Sequence, residues 1–424
     1  MSAVLPPRAL RRNFVVMGLD LTLFVLGINF ASVYGILPLF VRHLSASNLA
    51  LGAIPALRAA NLLPPLFVAG LTERLPHKKP FVIAWTVVER LPYLALALAT
   101  PLLATTRPTA LLWLLFAMLA VSTLAGGMAT PAWLDLISRM FPPNWRGRFF
   151  GLSSALGGLL GVAGSAGAAF LFEHFGWSSG GALCFGCTFV CLAVSFVFIS
   201  LGREPTVTRP MTPGQAHPSA SASWRRFPAL VREDANLRGY LLAVALATCA
   251  GAAAAFYVVD AKRALGLSDA EASLFAVLLL ITSTVGSVLW GYVGDHRGHR
   301  LVVVAGAACT GGAALVALAA RQAWGGAAGY CAVFALVGLG SSALQLASLT
   351  FIVDFAPPAQ RPTYIGVAML AQAPFAFGAP VLAASVANRY GYGAVFALAA
   401  ISGALATLVV ARYVRDPRTH ASFT

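Results

Sequence analysis

Charged side chains are scarce in this sequence of 424 residues: only 10% are Asp, Glu, Lys or Arg, while 59% are hydrophobic. A soluble domain carries roughly 25% charged residues, so this composition excludes a water-soluble globular protein. Acidic residues are scarcer than basic ones, with 14 Asp and Glu against 29 Lys and Arg. Basic loops that lie against an anionic leaflet account for the excess, so the sequence predicts no nucleic-acid partner.

Side chains arranged for metal binding or for nucleophilic catalysis are also missing from the apolar segments. None of the seven His residues lies deep in such a segment, which argues against a histidine proton relay or an intramembrane metal site. The six Cys residues are interpreted as small core side chains rather than metal ligands. No Gly-x-Ser-x-Gly elbow occurs in these segments. The sequence therefore predicts a protein that is not an enzyme and holds no cofactor or metal.

Twelve apolar stretches are present, and each is long enough to cross a bilayer. A hydrocarbon core roughly 30 Å thick takes about 20 helical residues, and stretches of this length without strict alternation are helices rather than barrel strands. The predicted spans are residues 14–40, 49–71, 80–100, 109–135, 149–171, 178–201, 239–260, 268–291, 301–320, 326–354, 363–387 and 393–413. The sequence therefore predicts an all-α membrane protein with twelve transmembrane helices.

One long polar gap divides the spans into two sets of six. It predicts an N-terminal six-helix bundle over residues 1–201, a linker over 202–238 and a C-terminal six-helix bundle over 239–424. Lys and Arg are distributed unequally, with 21 on the side of both termini and the linker and six on the other. This bias places the termini and the linker in the cytoplasm. We expect a monomer in the inner membrane of a bacterial-type cell.

The two halves repeat one another in sequence. The loop after the fourth span reads PPNWR from Pro142, and the loop after the tenth reads PPAQR from Pro357, 215 positions later. The same offset carries FGW at Phe175 onto YGY at Tyr390. Internal repeats of this kind are typical of transporters built from two related bundles. We therefore expect the two six-helix bundles to be pseudo-symmetric.

The turn after the eighth span carries a spaced set of glycines and charges: Gly291, Asp295, Arg297, Gly298 and Arg300. This set resembles the G-x-x-x-D-R-x-G-R-R signature of the major facilitator superfamily. The segment that begins at Arg146 resembles the one that opens the fifth helix in that family, and the resemblance covers essentially the whole chain. It implies alternating access to a central cavity lined mainly by helices one, four, seven and ten.

Charged residues at the cytoplasmic turns are predicted to hold one conformation and to release it in another. The turn after the second span departs from the signature, because Glu73 replaces its Asp and His77 replaces an Arg. The resemblance also implies an acid at the end of the fourth helix that engages this turn. The predicted gating residues are Glu73, Arg74, Asp135, Arg146, Gly291, Asp295, Arg297, Gly298, Arg300, Asp354 and Arg361. Ordinary solvated loop charges are the alternative.

Four ionisable residues lie well inside predicted spans: Asp20, Arg58, Glu89 and Arg90. Each costs at least about 2.5 to 3.5 kcal/mol at the bilayer centre unless it is paired or hydrated, so each is a functional candidate. Adjacent residues on a helix do not face each other, so we expect Glu89 to pair with Arg58 rather than with Arg90. A structural role in helix packing explains such a buried pair as well as a role in transport does.

Asp20 is the leading candidate for proton coupling, and Glu89 is the second. The resemblance implies an acid on the first helix that couples proton movement to transport. Packing against an intramembrane arginine is the alternative role for Asp20. The candidates for substrate contacts are neutral polar residues within spans: Asn29, Tyr34, Gln345 and Gln372.

The sequence thus predicts a secondary active transporter that moves a small organic solute together with protons. Export of amphipathic or drug-like compounds is favoured, because no charged residue lies deep in the second half to bind a strongly ionic substrate. Proton-coupled uptake of a neutral metabolite such as a sugar is the alternative within this class. A membrane sensor or scaffold that does not transport is the alternative from another class, since the turn after the second span is degenerate.

Overall fold

A computed structural model describes residues 6–32, 36–45, 47–205, 220–266, 269–321 and 326–415. In these ranges the chain forms helices and short connections, and no strand occurs. The helices are α1 (Pro7–Phe30), α2 (Ile36–Leu44), α3 (Asn48–Ala59), α4 (Pro64–Arg74), α5 (Lys79–Leu103), α6 (Pro108–Met140), α7 (Pro143–Leu201), α8 (Ala220–Glu233), α9 (Ala235–Gly251), α10 (Ala254–Leu265), α11 (Asp269–Arg297), α12 (His299–Arg321), α13 (Gly326–Phe355), α14 (Arg361–Tyr390) and α15 (Tyr392–Tyr413). The predicted all-α membrane fold is confirmed.

Ten helical segments in the described part of the chain are long and apolar enough to cross a membrane. One of them, α7, runs for 59 residues and contains two predicted spans, which Gly176 separates with a φ of 74°. The second predicted span is also present, but it is interrupted: α3, a 3-10 turn over Ala60–Leu62 and α4 follow one another. These segments account for the twelve predicted spans, but the first, predicted as one helix over residues 14–40, is divided between α1, which ends at Phe30, and α2, which begins at Ile36.

Gly176 and Gly391 make the same sharp connection in the two halves of the sequence. They are 215 positions apart, and their φ angles are 74° and 78°. A φ in this range is unfavourable for residues that carry a Cβ. The glycine between two aromatic residues, repeated as FGW and YGY, is therefore required by the turn that joins consecutive spans.

The second and the seventh predicted spans are interrupted near the middle of their length. The second is interrupted before Pro64 and Pro65, which lack the N–H groups that a helical ladder needs. The seventh is interrupted between the end of α9 at Gly251 and the start of α10 at Ala254. Irregular backbone at this depth is tolerated where it is buried in protein or lines a cavity. Both breaks line cavities.

Contacts between Cα atoms divide the chain into two compact units. Of the described residues, the first unit takes those within Met1–Pro142, Leu156–Trp224 and Ala359–Gly366, and the second takes those within Pro143–Ala155, Arg225–Pro358 and Val367–Thr424. The first turns of α7 therefore belong to the second unit, and the first turns of α14 belong to the first unit.

In the first unit, glycines of α7 allow α1 to approach closely. A Cβ placed on Gly164 would lie 2.9 Å from the carbonyl oxygen of Leu26, and one on Gly161 would lie 2.7 Å from Nδ2 of Asn29. Small residues permit such helix contacts in lipid, where the hydrophobic effect adds little to association. The glycine series of the fifth predicted span is therefore a packing surface for α1.

In the second unit, α12 and α15 meet glycine against glycine. A Cβ placed on Gly311 would lie 3.0 Å from Cα of Gly403, whereas one on the neighbouring Gly312 would meet only Leu336, at 3.9 Å. Two adjacent glycines of one helix thus differ in the space around them, and only Gly311 is needed for the contact.

Gly311→Ala is expected to lower the melting temperature of the purified protein, because overpacking a close contact typically costs about 1 to 3 kcal/mol. Gly312→Ala is the matched control. It adds the same methyl group to the same helix, and it should leave the melting temperature unchanged or slightly raised. Thermal unfolding in one detergent measures both variants, and equal melting temperatures would contradict the α12–α15 contact.

Candidate functional site

The first unit contains a cavity of about 180 Å³ that is lined by all four of the intramembrane ionisable residues. Asp20 comes from α1, Arg58 from α3, and Glu89 and Arg90 from α5. The 3-10 turn that breaks the second span contributes Asn61 to the same lining. The structure therefore gathers into one site the charges that the sequence places on three helices.

Arg90 is the centre of this site and is only 4% exposed. Its Nε donates to the carbonyl oxygen of Leu192 at 2.8 Å, and its Nη1 donates to that of Thr86 at 3.0 Å. Its Nη2 donates to Oγ of Ser195 at 3.0 Å. Neutral acceptors from two helices thus satisfy the guanidinium group, which keeps its charge at any physiological pH.

Asp20 and Glu89 share this one guanidinium group at longer range. Oδ1 of Asp20 lies 3.7 Å from Nη2 of Arg90, and Oε2 of Glu89 lies 3.9 Å from Nη1. Oδ1 of Asp20 also accepts a hydrogen bond from Oγ of Ser195 at 2.6 Å. Both carboxylates are therefore close enough to feel the positive charge, and neither forms a direct hydrogen bond with it.

The expectation that Glu89 pairs with Arg58 rather than with Arg90 is wrong. No ion pair within 4.0 Å joins Arg58 to Glu89 among the described contacts, and Arg90 is the nearer cation. The reason is the length of the arginine side chain, which reaches along its own helix even though adjacent Cβ atoms diverge. Arg58 lines the cavity and is exposed.

Asn61 is a polar group of this site that the sequence interpretation missed. Its Oδ1 is buried and has no hydrogen-bond partner. A buried acceptor without a partner costs about 1 to 3 kcal/mol, so its position at a cavity wall indicates a contact for water or solute. The sequence signal was an amide a few residues before two prolines inside an apolar span.

The four predicted substrate contacts lie in different places. Asn29 packs between helices: its Nδ2 donates to the carbonyl oxygen of Val25 at 2.8 Å, and its Oδ1 accepts from Oγ of Ser165 at 3.4 Å. Tyr34 lies outside the described residues. Gln345 is exposed on α13, and Gln372 lines a cavity of the second unit.

That second cavity has a volume of about 310 Å³ and is lined by α9, α10, α12, α13 and α14. None of its lining residues is charged, and most are apolar; the polar ones are Thr248, Tyr257, Thr310, Ser341, Ser348 and Gln372. The hydroxyl of Tyr257 is buried without a hydrogen-bond partner. Nε2 of Gln372 lies 3.4 Å from Oγ1 of Thr248. The cavity is thus an apolar site with a few neutral hydrogen-bonding groups.

At one end of the second unit, Asp295 caps the start of α7. Its Oδ1 accepts from the backbone N–H of Gly147 at 2.7 Å, and its Oδ2 accepts from the backbone N–H and the Nε of Arg148 at 2.9 and 3.0 Å. A carboxylate at a helix N-terminus also interacts favourably with the helix dipole. Asp295 therefore holds the first turns of α7 in the second unit.

The acid of the tenth span supports the same contact. Oδ1 of Asp354 pairs with Nη1 of Arg146 at 2.8 Å, and its Oδ2 pairs with Nδ1 of His299 at 2.6 Å. The arginines of the signature turn lie elsewhere: Arg300 donates to the carbonyl oxygen of Ala411, and Arg297 is exposed. Asp295 is thus bound to the start of α7, whereas Arg300 is bound to the last turns of α15.

Glycine is required where α7 and α11 meet. A Cβ placed on Gly147 would lie 2.7 Å from Oδ1 of Asp295, and one on Gly291 would lie 3.1 Å from the carbonyl carbon of Gly147. Gly298 ends the turn with a φ of 89°. The two glycines of the signature are therefore required for different reasons. Gly291 lets α11 approach α7 closely, and Gly298 adopts the positive φ of the turn.

The first unit repeats the arrangement. Oε1 of Glu73 accepts from the backbone N–H of Thr363 at 3.2 Å, near the start of α14. Nη1 of Arg361 donates to Oγ of Ser138 at 2.9 Å and lies 3.9 Å from Oδ1 of Asp135. The substituted turn thus keeps a contact with the start of a helix. Arg74 is exposed in the last turn of α4.

Lys78 and Glu204 are two further charged residues of this region. Lys78 is 1% exposed, and its Nζ lies 3.6 Å from Oδ2 of Asp135; desolvation by burial lowers the pKa of Lys78 to about 8. Glu204 accepts from the backbone N–H groups of Lys78 and Lys79 at 2.9 and 3.0 Å, and pairs with Arg139 at 3.2 Å. The start of the predicted flexible linker is therefore bound to the first unit.

Apolar helices of spanning length, two compact units and buried intramembrane charges define a multi-pass membrane protein with the architecture of a transporter. Residues 19–261 and 240–424 match the Major Facilitator Superfamily. The chain belongs to this family, whose fold is that of transporters rather than of enzymes.

Solved structures with a similar fold include two sugar symporters and an organic anion transporter. The proton:xylose symporter XylE, bound to 6-bromo-6-deoxy-D-glucose, has a TM-score of 0.73 and 14% identity, with 96% of each chain covered. The E. coli fucose:proton symporter FucP has a TM-score of 0.73 and 14% identity, with 95% of this chain and 98% of that chain covered. Human MFSD10 has a TM-score of 0.71 and 16% identity, with 96% and 100% covered. At these identities the likeness shows the fold alone.

Sequence relatives include uncharacterized proteins of Mycobacterium tuberculosis and Mycobacterium bovis. Each is 24% identical to this chain over 266 residues, which is 59% of this chain and 49% of the relative. The match thus spans about half the length of these relatives.

Arg90→Gln is expected to destabilise the protein strongly, because it removes the cation nearest to Asp20 and Glu89; removing one partner of a buried pair typically costs about 3 to 5 kcal/mol. The loss should be larger at about pH 8 than at about pH 5, since protonated carboxyl groups no longer carry the unpaired charge. The loss of stability is measured by thermal unfolding of the wild type and the variant at the two pH values.

Arg58→Gln is the control for this prediction, because it removes an arginine from the same cavity that makes no close ion pair with either acid. A similar loss of stability in both variants, with no dependence on pH, would contradict the central position of Arg90.

Proposed function

We propose that this protein is a proton-coupled secondary transporter that works by alternating access, in a bacterial-type inner membrane with both termini in the cytoplasm. The observation that carries the proposal is that the buried carboxylate of Asp20 and the half-buried one of Glu89 share the guanidinium of Arg90. With Arg58, the cavity holds two arginines and two acids, whose charges balance. A proton on either acid therefore leaves the site with a net positive charge.

Asp20 is the more strongly bound of the two acids. It accepts a hydrogen bond of 2.6 Å from Ser195, which in turn accepts one of 3.0 Å from Arg90. Protonation of Asp20 weakens this chain of contacts between α1, α5 and α7, because a neutral carboxyl group attracts the guanidinium less. Proton binding is in this way linked to the packing of three helices, as coupling requires.

The cytoplasmic turns supply the conformational step of the proposal. Asp295 and Glu73 bind the first turns of α7 and α14, helices that begin in one unit and continue in the other. Breaking hydrogen bonds to a charged acceptor costs about 1.5 to 3 kcal/mol each. Contacts of this strength hold one state and are still reversible during a transport cycle.

The second-unit cavity is the proposed contact surface for the substrate. Its mostly apolar lining and lack of charge suit an amphipathic or drug-like molecule of low charge, and export of such compounds is the direction we propose. Tyr257 offers a hydroxyl that lacks a partner, and Gln372 adds an amide. Uptake of a neutral metabolite is the second candidate, favoured by the six neutral polar side chains in the lining.

Asp20→Asn is expected to abolish accumulation driven by a pH gradient while substrate binding persists, because the amide keeps size and hydrogen bonding but cannot exchange the proton. Flux of a panel of labelled amphipathic compounds and sugars into proteoliposomes, with and without a gradient, measures this. Glu89→Gln tests the second acid in the same assay. Full gradient-driven accumulation by Asp20→Asn would exclude Asp20 as the coupling acid.

Tyr257→Phe is expected to weaken substrate binding about tenfold, because it removes a donor that only a ligand satisfies. It should leave the unliganded protein as stable as the wild type or more stable, since a buried unpaired hydroxyl is lost. Tyr240→Phe is the control, because Tyr240 is buried against Phe351 and does not line the cavity. If Tyr257→Phe binds the substrate as tightly as the wild type, this cavity is not the substrate site.

A further inference from the structure

A separate open pocket of about 530 Å³ lies at the end of the second unit where α10 ends and α15 begins. Its lining residues are Asp260, Arg263, Ala264, Arg321, Ala387, Asn388, Gly391 and Tyr392. It shares no lining residue with the 310 Å³ cavity. By the charge count this end of the unit faces the outside of the cell. We propose that the pocket binds a phosphate group.

The single acid of the pocket is already neutralised. Oδ1 of Asp260 accepts from Nη1 of Arg321 at 2.8 Å, and its Oδ2 accepts from the hydroxyl of Tyr330 at 2.7 Å. Asp260 is 5% exposed, whereas the side chain of Arg321 is 36% exposed. A guanidinium group has five N–H donors, so Arg321 retains donors for a ligand.

Arg263 supplies a second positive charge. Its Cζ lies 5.1 Å from the centre of the Tyr392 ring, a cation–π contact that orients the guanidinium at the pocket wall. No ion pair within 4.0 Å joins Arg263 to an acid in the described part of the chain. Two arginines and one carboxylate leave the pocket with a net charge of about +1. Planar guanidinium groups match phosphate oxygens in paired hydrogen bonds.

The start of α15 adds backbone donors to the same place. Gly391 precedes the helix with a φ of 78°, and no side chain caps the first turn. A Cβ placed on Gly393 would lie 3.9 Å from Cζ of Arg321, so the guanidinium lies beside that turn. Uncapped N–H groups at the start of a 22-residue helix favour an anion. At this pocket the uncapped N–H groups lie next to the guanidinium group of Arg321, so the helix start and the arginine can bind the same anion.

The distribution of charge points to the same site. Of the six Lys and Arg residues on the outer side of the predicted topology, Arg263 and Arg321 line the pocket and Lys262 precedes Arg263 in the chain. Basic residues are generally avoided on this side. Their concentration around one pocket is explained by an anionic ligand, either a lipid headgroup or a free phosphate.

The test uses the full-length protein in nanodiscs with two arms. In phosphatidylcholine nanodiscs, inorganic phosphate is titrated at constant ionic strength and its affinity is measured by calorimetry. In the second arm, nanodiscs with increasing phosphatidylglycerol are used and the melting temperature is followed. The variant is Arg263→Gln, which leaves the Asp260–Arg321 pair intact. Arg389→Gln is the matched control, because Arg389 stacks on Tyr390 near the pocket without lining it.

If the ligand is free phosphate, the wild-type protein and Arg389→Gln should bind inorganic phosphate at least about tenfold more tightly than Arg263→Gln in the first arm. If the ligand is a lipid headgroup, phosphatidylglycerol should raise the melting temperature of the wild type and of Arg389→Gln more than that of Arg263→Gln in the second arm. Binding of inorganic phosphate identifies a free ligand. Stabilisation by phosphatidylglycerol alone identifies a lipid headgroup. Equal behaviour of Arg263→Gln and Arg389→Gln in both arms, or no response of the wild type in either, would overturn the proposal.

Discussion

The buried guanidinium group of Arg90 is the constraint on which the first unit depends. A charge at this depth is costly unless it is paired and hydrogen-bonded. Arg90 meets this demand with carbonyl oxygens of Thr86 and Leu192 and with the hydroxyl of Ser195, so α5 and α7 must lie close together. Asp20 then brings α1 to the same point. Three of the helices that line the site, α1, α5 and α7, are thus held together through the arginine.

A second theme is the use of carboxylates at the starts of helices. Asp295 and Glu73 occupy equivalent places in the repeated sequence, and each accepts hydrogen bonds from the first turns of a helix. The glycines Gly147 and Gly291 let the helices come close enough for these bonds. These acids bind the starts of helices, whereas Asp20 and Glu89 lie within predicted spans beside a buried arginine.

The sequence was sufficient for the spans, the repeat and the candidate charges, because hydrophobic length and spacing are local properties. It was insufficient where side-chain reach decides: Arg90 approaches its own neighbour Glu89, and Asp295 binds backbone N–H groups at the start of α7. It also gave no sign that Tyr257 lacks a hydrogen-bond partner. These side-chain contacts depend on which helices pack against each other, and the periodicity of a single helix does not specify its neighbours.

The most direct test of the central claim is a count of protons exchanged when a transported compound binds to the purified protein. A pH-sensitive dye in weakly buffered detergent solution reports this number in a stopped-flow instrument. If Asp20 and Glu89 share Arg90 and carry the coupling proton, binding should change the bound protons by a measurable fraction of one per molecule, and the change should vanish in the Asp20→Asn, Glu89→Gln double variant. A transported compound that binds without any proton exchange in the wild type would contradict the account.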